Sequence, residues 1–179
     1  GVISGSGSLE TWNLCAENDF LYAYLSYFGY KASQNVMKGF WGHIKELGLE
    51  PNPFRAGFLQ AIGVAESRAE AVEIYSEPAS YFYDRCLNFS PRFTSPPGYT
   101  TEESLRARLS SQVTAAANKS KRFSGAAFAD VDEAERSIFE QGHVIIGSAD
   151  EVAEKLREVA TELNVGQILM LLHFGNMGR

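Results

Sequence analysis

Three stretches of this chain are apolar almost without interruption: Phe20 to Tyr27 (FLYAYLSY), Arg55 to Val64 (RAGFLQAIGV) and Gln167 to Phe174 (QILMLLHF). A strand with one wet face alternates apolar and polar residues, whereas a strand covered on both faces does not. Each run is far shorter than the roughly 18 residues a membrane span needs. They therefore predict strands of a parallel sheet covered by helices, with the last strand buried on both faces.

The residues between these runs supply the helices. Leu9 to Glu17 has helical composition, and from Ala32 the residues Val36, Met37, Phe40, Trp41, Ile44 and Leu47 recur at steps of one, three and four, placing them on one helix face that ends near Gly48. Pro51-Asn52-Pro53 forbids its continuation. A second helix is expected from Glu66, with Ala69, Val72, Tyr75, Ala79, Phe82 and Cys86 inward and a kink or break at Pro78. Ser148 and Glu151 have the spacing of a capping box, opening a helix whose inner face is Val152, Leu156, Val159, Ala160 and Leu163 and which ends at Asn164 to Gly166. Val2-Ile3 and Val144-Ile145-Ile146 read as short strands. Between residues 90 and 142 the periodicity weakens and prolines punctuate the chain, with short helices expected at Glu102 to Leu109 and Val131 to Phe139; this region reads as an insertion within one domain spanning 1–179. The resulting order, β-α-β-α-β-α-insertion-α-β, fits either a doubly wound sheet or part of a (β/α) barrel.

Composition narrows the partners. With 22 acidic against 16 basic residues and a net charge of −6, the chain offers no electrostatic case for nucleic acid or an anionic membrane surface. Cys15 and Cys86 stand far apart with no CxxC or Cys/His spacing, so neither a disulfide framework nor a metal site is expected. The N-terminus lacks the order of a signal peptide, which makes the cytoplasm the expected compartment.

The strongest chemical signal is Ser4-Gly5-Ser6-Gly7-Ser8, between the first strand and the first helix. Glycines allow a sharp turn and a close approach, and the free amides and serine hydroxyls at the positive end of a helix converge on one point, which suits a phosphate. The same residues also fit a plain turn with Ser8 as N-cap, or an artificial linker. Among the histidines, His43 reads as a half-exposed surface residue and His143 begins a short strand. His173 lies at the carboxyl end of the last strand, where α/β proteins place their chemistry. Arg55, Arg85, Arg92 and Arg122 each have the reach to meet a phosphate, and the aromatic run Phe20 to Phe28 has the shape to wall a planar ligand, although core packing accounts for most of it.

Ser4 to Trp12 (SGSGSLETW), Cys15-Ala16-Glu17, Tyr24 to Lys31 (YLSYFGYK), Gly147 to Val152 (GSADEV) and Val165 to Met177 (VGQILMLLHFGNM) resemble the bacterial luciferase-like, flavin-dependent monooxygenases. The resemblance implies a (β/α)8 TIM barrel in members about twice this length, of which this chain is expected to be the C-terminal half; its first strand is entered at Gly1 and the family's final helix has no counterpart before Arg179. It implies reduced FMN as cofactor, with the phosphate at Gly5, Ser6, Gly7 and Ser8, although Ser4 and Ser6 stand where relatives carry proline and glycine. It also implies O2 as co-substrate, a small organic substrate and a separate flavin reductase. The 90–142 insertion is then expected to be a lid. Catalytic residues are left unassigned, since most would come from strands outside this chain. An uncovered half-barrel predicts a homodimer or a complementing half-barrel. A non-catalytic flavin- or phosphate-binding half-barrel and a deazaflavin-dependent oxidoreductase remain the alternatives.

Overall fold

A computed structural model describes residues 1–5, 7–87 and 138–178. Five strands and four helices account for most of them: β1 (Val2–Gly5), α1 (Leu9–Glu17), β2 (Leu21–Tyr24), α2 (Gly29–Glu46), β3 (Ala56–Val64), α3 (Arg68–Tyr81), β4 (Val144–Gly147), α4 (Ala149–Leu163) and β5 (Gln167–Leu171). The insertion expected over 90–142 falls outside the described residues except for its last five, so neither it nor its two short helices is placed.

Among the described residues all the strand pairings are parallel, and β3 is the centre of the sheet. Its first residues pair with β2, its middle with β5 and its carboxyl half with β4. Gly57 and Phe58 pair with both β2 and β5, so these two strands flank β3 on opposite edges. Ala61 likewise pairs with both β4 and β5, so β4 lies on the same edge of β3 as β2; β1, β2, β3 and β5 follow the chain across the sheet, and β4 stands beside β2 on the carboxyl half of β3. Sequential parallel strands separated by helices are the arc of a (β/α) barrel.

Registered partners in a parallel sheet share a face, so the two faces can be followed across the strands. Ile3, Tyr22, Tyr24, Phe58, Ile62 and Ile145 face α1, α2 and α4, forming the larger core with Trp12, Phe40, Trp41 and Leu163. On the other face, Ala61, Val144 and Ile146 pack under Ala71 and Ala79 of α3. That cover reaches only the carboxyl half of β3: Val2 is 63% exposed, Ser4 is exposed, and Leu21, Leu59 and Leu169 are half-buried.

The elements follow the sequence with two main corrections. Met37, Phe40, Trp41 and Ile44 of α2 are buried as expected, but Leu47 is exposed beyond its end. In α4, Ser148 and Glu151 close the capping box from both sides, and Asn164 ends the helix in the left-handed region at φ 52°. These two helices are tied together by the Trp41 indole donating to the Leu163 carbonyl at 2.9 Å, by Tyr30 donating to Glu158 and by Gln34 donating to Glu162. The first correction is α3, whose inner face is Ala71, Ser76 and Ala79, while Val72 and Cys86 are exposed. The helix runs through Pro78 and then widens into a π-helical turn, Phe82–Cys86, closed by Leu87 N–H on the Phe82 carbonyl. In that turn Tyr83 is buried and Phe82 packs half-buried against the same core as expected, while Cys86 faces outward.

The second correction is β5. It is not buried on both faces: none of Gln167–Leu171 is fully buried, and Met170 and Leu172 are 54% and 59% exposed. Ile168 and Leu171 pack at the margins of the two cores, and the cover does not extend over Met170 and Leu172.

Candidate functional site

Because the strands are parallel, the carboxyl ends of β1, β2, β3 and β5 lie at one end of the sheet, the end at which barrels carry chemistry. The glycine-serine turn is there. Gly5 ends β1, and its carbonyl accepts from Leu25 N–H at 3.3 Å, extending the pairing beyond Tyr24. Ser6 lies outside the described residues. Gly7 has φ +91°, a conformation that L side chains rarely adopt, and a Cβ there would come within 2.7 Å of Val36 on α2. The turn is thus seated on α2 and belongs to the fold, unlike a linker.

Ser8 is the N-cap of α1. Its Oγ accepts from Thr11 N–H at 3.3 Å and lies 2.9 Å from the Thr11 hydroxyl. Its own carbonyl accepts the first intrahelical bond, from Trp12 N–H at 3.1 Å. The capping reading of Ser8 therefore holds. It does not displace the anion reading, since first-turn amides have no carbonyl acceptor within their own helix and carry the positive end of its dipole.

Tyr22 stands under the turn. It is fully buried, its ring lies edge-on to Trp12 with centroids 6.4 Å apart, and a Cβ on Gly5 would approach its Cε2 to 3.2 Å. Burial raises its phenol well above the ordinary value, opposed by the Trp12 indole N–H and the Gly7 amide, which face the hydroxyl. Neither closes a hydrogen bond of ordinary geometry with it. The sequence gives no sign of this arrangement, because Tyr22 sits inside an apolar run and looks like core.

The other candidates separate. Arg55 pairs with Asp19 at 2.7 Å, and the pair sits where β2 and β3 begin, at the opposite end of the sheet from the turn. Arg85 is exposed, and Arg92 and Arg122 lie outside the described residues. His173 is exposed just past the end of β5, at the carboxyl end of the sheet. His43 is a half-exposed surface residue whose Nε2 lies 2.7 Å from Asn13 Oδ1, linking α2 to α1. Of the aromatic run, Tyr22 and Tyr24 go to the core, whereas Tyr27 and Phe28 are exposed beyond the carboxyl end of β2.

A second polar layer, missed in the sequence, holds the turn that enters β4. His143 is buried between the rings of Tyr83 and Phe28, with centroids at 5.3 and 6.4 Å, and burial lowers its pKa to about 4. Gln60, also buried, donates to the carbonyls of Gly142 and His143, and the Tyr83 hydroxyl donates to the Tyr27 carbonyl at 2.5 Å. This layer thereby fixes the Tyr27-Phe28 turn at the same end of the sheet. A mixed-charge cleft of about 480 Å³ lies elsewhere, on the helix side, lined by Tyr30, Lys31, Arg68, Glu151 and Lys155 among others; neither the glycine-serine turn nor α1 contributes to it.

No protein-family model matches the chain, and no curated protein matches it. Solved structures do. The oxygenating constituent of 3,6-diketocamphane monooxygenase from Pseudomonas putida, in complex with FMN, superposes with a TM-score of 0.56 at 17% identity, over 97% of this chain and 41% of that one. The EDTA monooxygenase of Chelativorans sp. gives 0.53 at 15% identity over 97% and 39%, and a monooxygenase from Streptomyces bottropensis gives 0.52 at 12% over 99% and 42%. The chain thus spans about two-fifths of the length of each of these structures. Over that span it shares with these structures a partial TIM-barrel-like fold.

Proposed function

We propose that this chain is the C-terminal half-barrel of a flavin-dependent monooxygenase in which Gly5, Ser6, Gly7 and Ser8 receive the phosphate of reduced FMN. The observation that carries the reading is the position of the turn: a glycine-rich bend seated on α2, opening α1 at its positive end, at the carboxyl end of a barrel arc. The FMN held by one of the solved structures of this fold supports the choice of flavin. The donor set fits a phosphate, since backbone amides and whichever hydroxyl of the bonded Ser8–Thr11 pair keeps its hydrogen free are able to donate.

Reduced flavin supplies the activation of O2 and the transfer of one oxygen atom to an organic substrate. The protein's contribution is to hold the phosphate at the turn and to leave Tyr27 and Phe28 at the same end as apolar, water-excluding surface. A separate reductase supplies the reduced flavin. The sheet face that carries Val2, Leu21, Leu59 and Leu169 is covered by further strands, from a second copy or a complementing half-barrel. The expected compartment is the cytoplasm; no described helix is long and apolar enough to cross a membrane.

Titration with FMN and with a deazaflavin, read by fluorescence, tests the reading. Preferential binding of FMN is expected. Binding of the deazaflavin alone favours a deazaflavin-dependent oxidoreductase, and binding of neither contradicts the proposal. If FMN binds but no O2 is consumed when reduced FMN is supplied, even with the face covered, the protein is a flavin-binding module without monooxygenase activity.

A further inference from the structure

Among the described residues, the fully buried Tyr22 hydroxyl beneath the turn has no hydrogen-bond partner, and the buried Trp12 Nε1 beside it has none either. Orphaned polar groups this deep are rare in native proteins. The two groups that face the Tyr22 oxygen, the Gly7 amide and the Trp12 indole, are both N–H donors, so neither can take the hydroxyl's hydrogen. Among the described residues the position lacks an acceptor. A phosphate brings nothing but acceptors.

We propose that Tyr22 is a further ligand-binding residue of the turn, its hydroxyl donating to an anionic oxygen of a phosphate group held at Gly5, Gly7 and Ser8, with Trp12 positioning the ring. This rests on the reading of the turn as a phosphate site and adds a residue to it. Three observations place the hydroxyl there: the contact of the Tyr22 ring with Gly5, the edge-on packing of the ring on Trp12 of the capped helix, and the missing acceptor. Burial also keeps the phenol protonated, and so a donor, throughout the physiological range. In this structure the oxygen is covered by its surroundings, so its contact with a phosphate requires a local rearrangement around it.

The same phosphate chemistry is offered by a flavin mononucleotide and by free phosphate, and riboflavin lacks it. The chain and its Tyr22→Phe variant are titrated with FMN and riboflavin by flavin fluorescence, and with inorganic phosphate by melting temperature. Tyr22→Phe is expected to melt no lower than the parent, because the oxygen it removes has no partner. It is expected to bind FMN roughly ten- to a hundredfold more weakly, the range for a hydrogen bond to a charged group. Riboflavin affinity stays the same, and the stabilisation by inorganic phosphate shrinks. A parent chain that prefers FMN to riboflavin, with a Tyr22→Phe variant that binds FMN equally well, overturns the role of Tyr22 and leaves the turn as the phosphate site. A parent chain that neither distinguishes FMN from riboflavin nor gains stability from phosphate overturns both. A large drop in the melting temperature of Tyr22→Phe shows that the hydroxyl already has a partner, and contradicts the proposal.

Discussion

Gln60 holds His143 by its backbone: from the middle of β3 its Nε2 donates to the His143 carbonyl at 3.1 Å, and to the neighbouring Gly142 carbonyl at 3.3 Å. The Ala61–Val144 pair, where β4 begins its register with β3, comes directly afterwards in both segments. A side chain thus extends the sheet by one step where the two backbones have not yet met. The same step is braced by Tyr83, which packs on the His143 ring and bonds the Tyr27 carbonyl, joining the β2–α2 turn to the approach to β4.

Gln60→Leu keeps the volume but leaves both carbonyls without this donor. It is expected to cost about 1–3 kcal/mol, the penalty for stranding buried acceptors. Gln60→Glu, which sets a carboxylate against the same carbonyls, is expected to cost more. Urea unfolding of the two variants, with an unchanged slope, checks both the size and the order.

Stability should fall on acidification, with His143 as one cause. In the folded chain it stays neutral down to about pH 4, whereas in the unfolded chain it takes up a proton near its ordinary value of 6.5. Between those limits the unfolded state binds a proton that the folded state refuses, so the stability present above pH 6.5 is lost as pH falls towards 4. The slope is about 1.4 kcal/mol per pH unit, some 3 kcal/mol in all. Denaturant titrations at pH 7.5 and pH 5 on the chain and on His143→Gln isolate this contribution as the part of the pH dependence that the variant lacks.

Val2 is exposed on the open sheet face, so Val2→Lys should change the stability of the isolated fold by no more than about 0.5 kcal/mol. If that face is covered by further strands, the same change buries a charge at the seam and weakens association. Unfolding at low concentration and light scattering at high concentration separate the two effects. Weakened association at unchanged intrinsic stability is the predicted pair of results.

How much of this was legible in the sequence depended on what each residue's environment was made of. The inner faces of α2 and α4 and the Ser148–Glu151 box are local patterns, and the chain folds as they read. In α3 the pattern misleads, because Ala, Ser and Tyr give little contrast between faces and the π-helical turn after Pro78 shifts the register of everything beyond it. The apolar run of β5 states that the strand is fit to be buried, but not what buries it, and so Met170 and Leu172 are exposed against expectation. Within the site, the turn announced itself through its glycines and serines. Tyr22, Gln60 and His143 did not, since their roles come from groups distant in the chain: Gln60 meets His143 across 83 residues.

The central claim is that the Gly5–Ser8 turn receives a flavin phosphate, and Ser8→Asp tests it most directly. Aspartate is as good an N-cap as serine, so α1 and the melting temperature should be preserved. Its carboxylate, however, would occupy the position offered to the phosphate and repel it. Fluorescence titration with FMN is the measurement. The account predicts that the parent chain binds FMN and that Ser8→Asp, fully folded, weakens that binding by roughly a hundredfold or more; equal affinity in the two chains would contradict it.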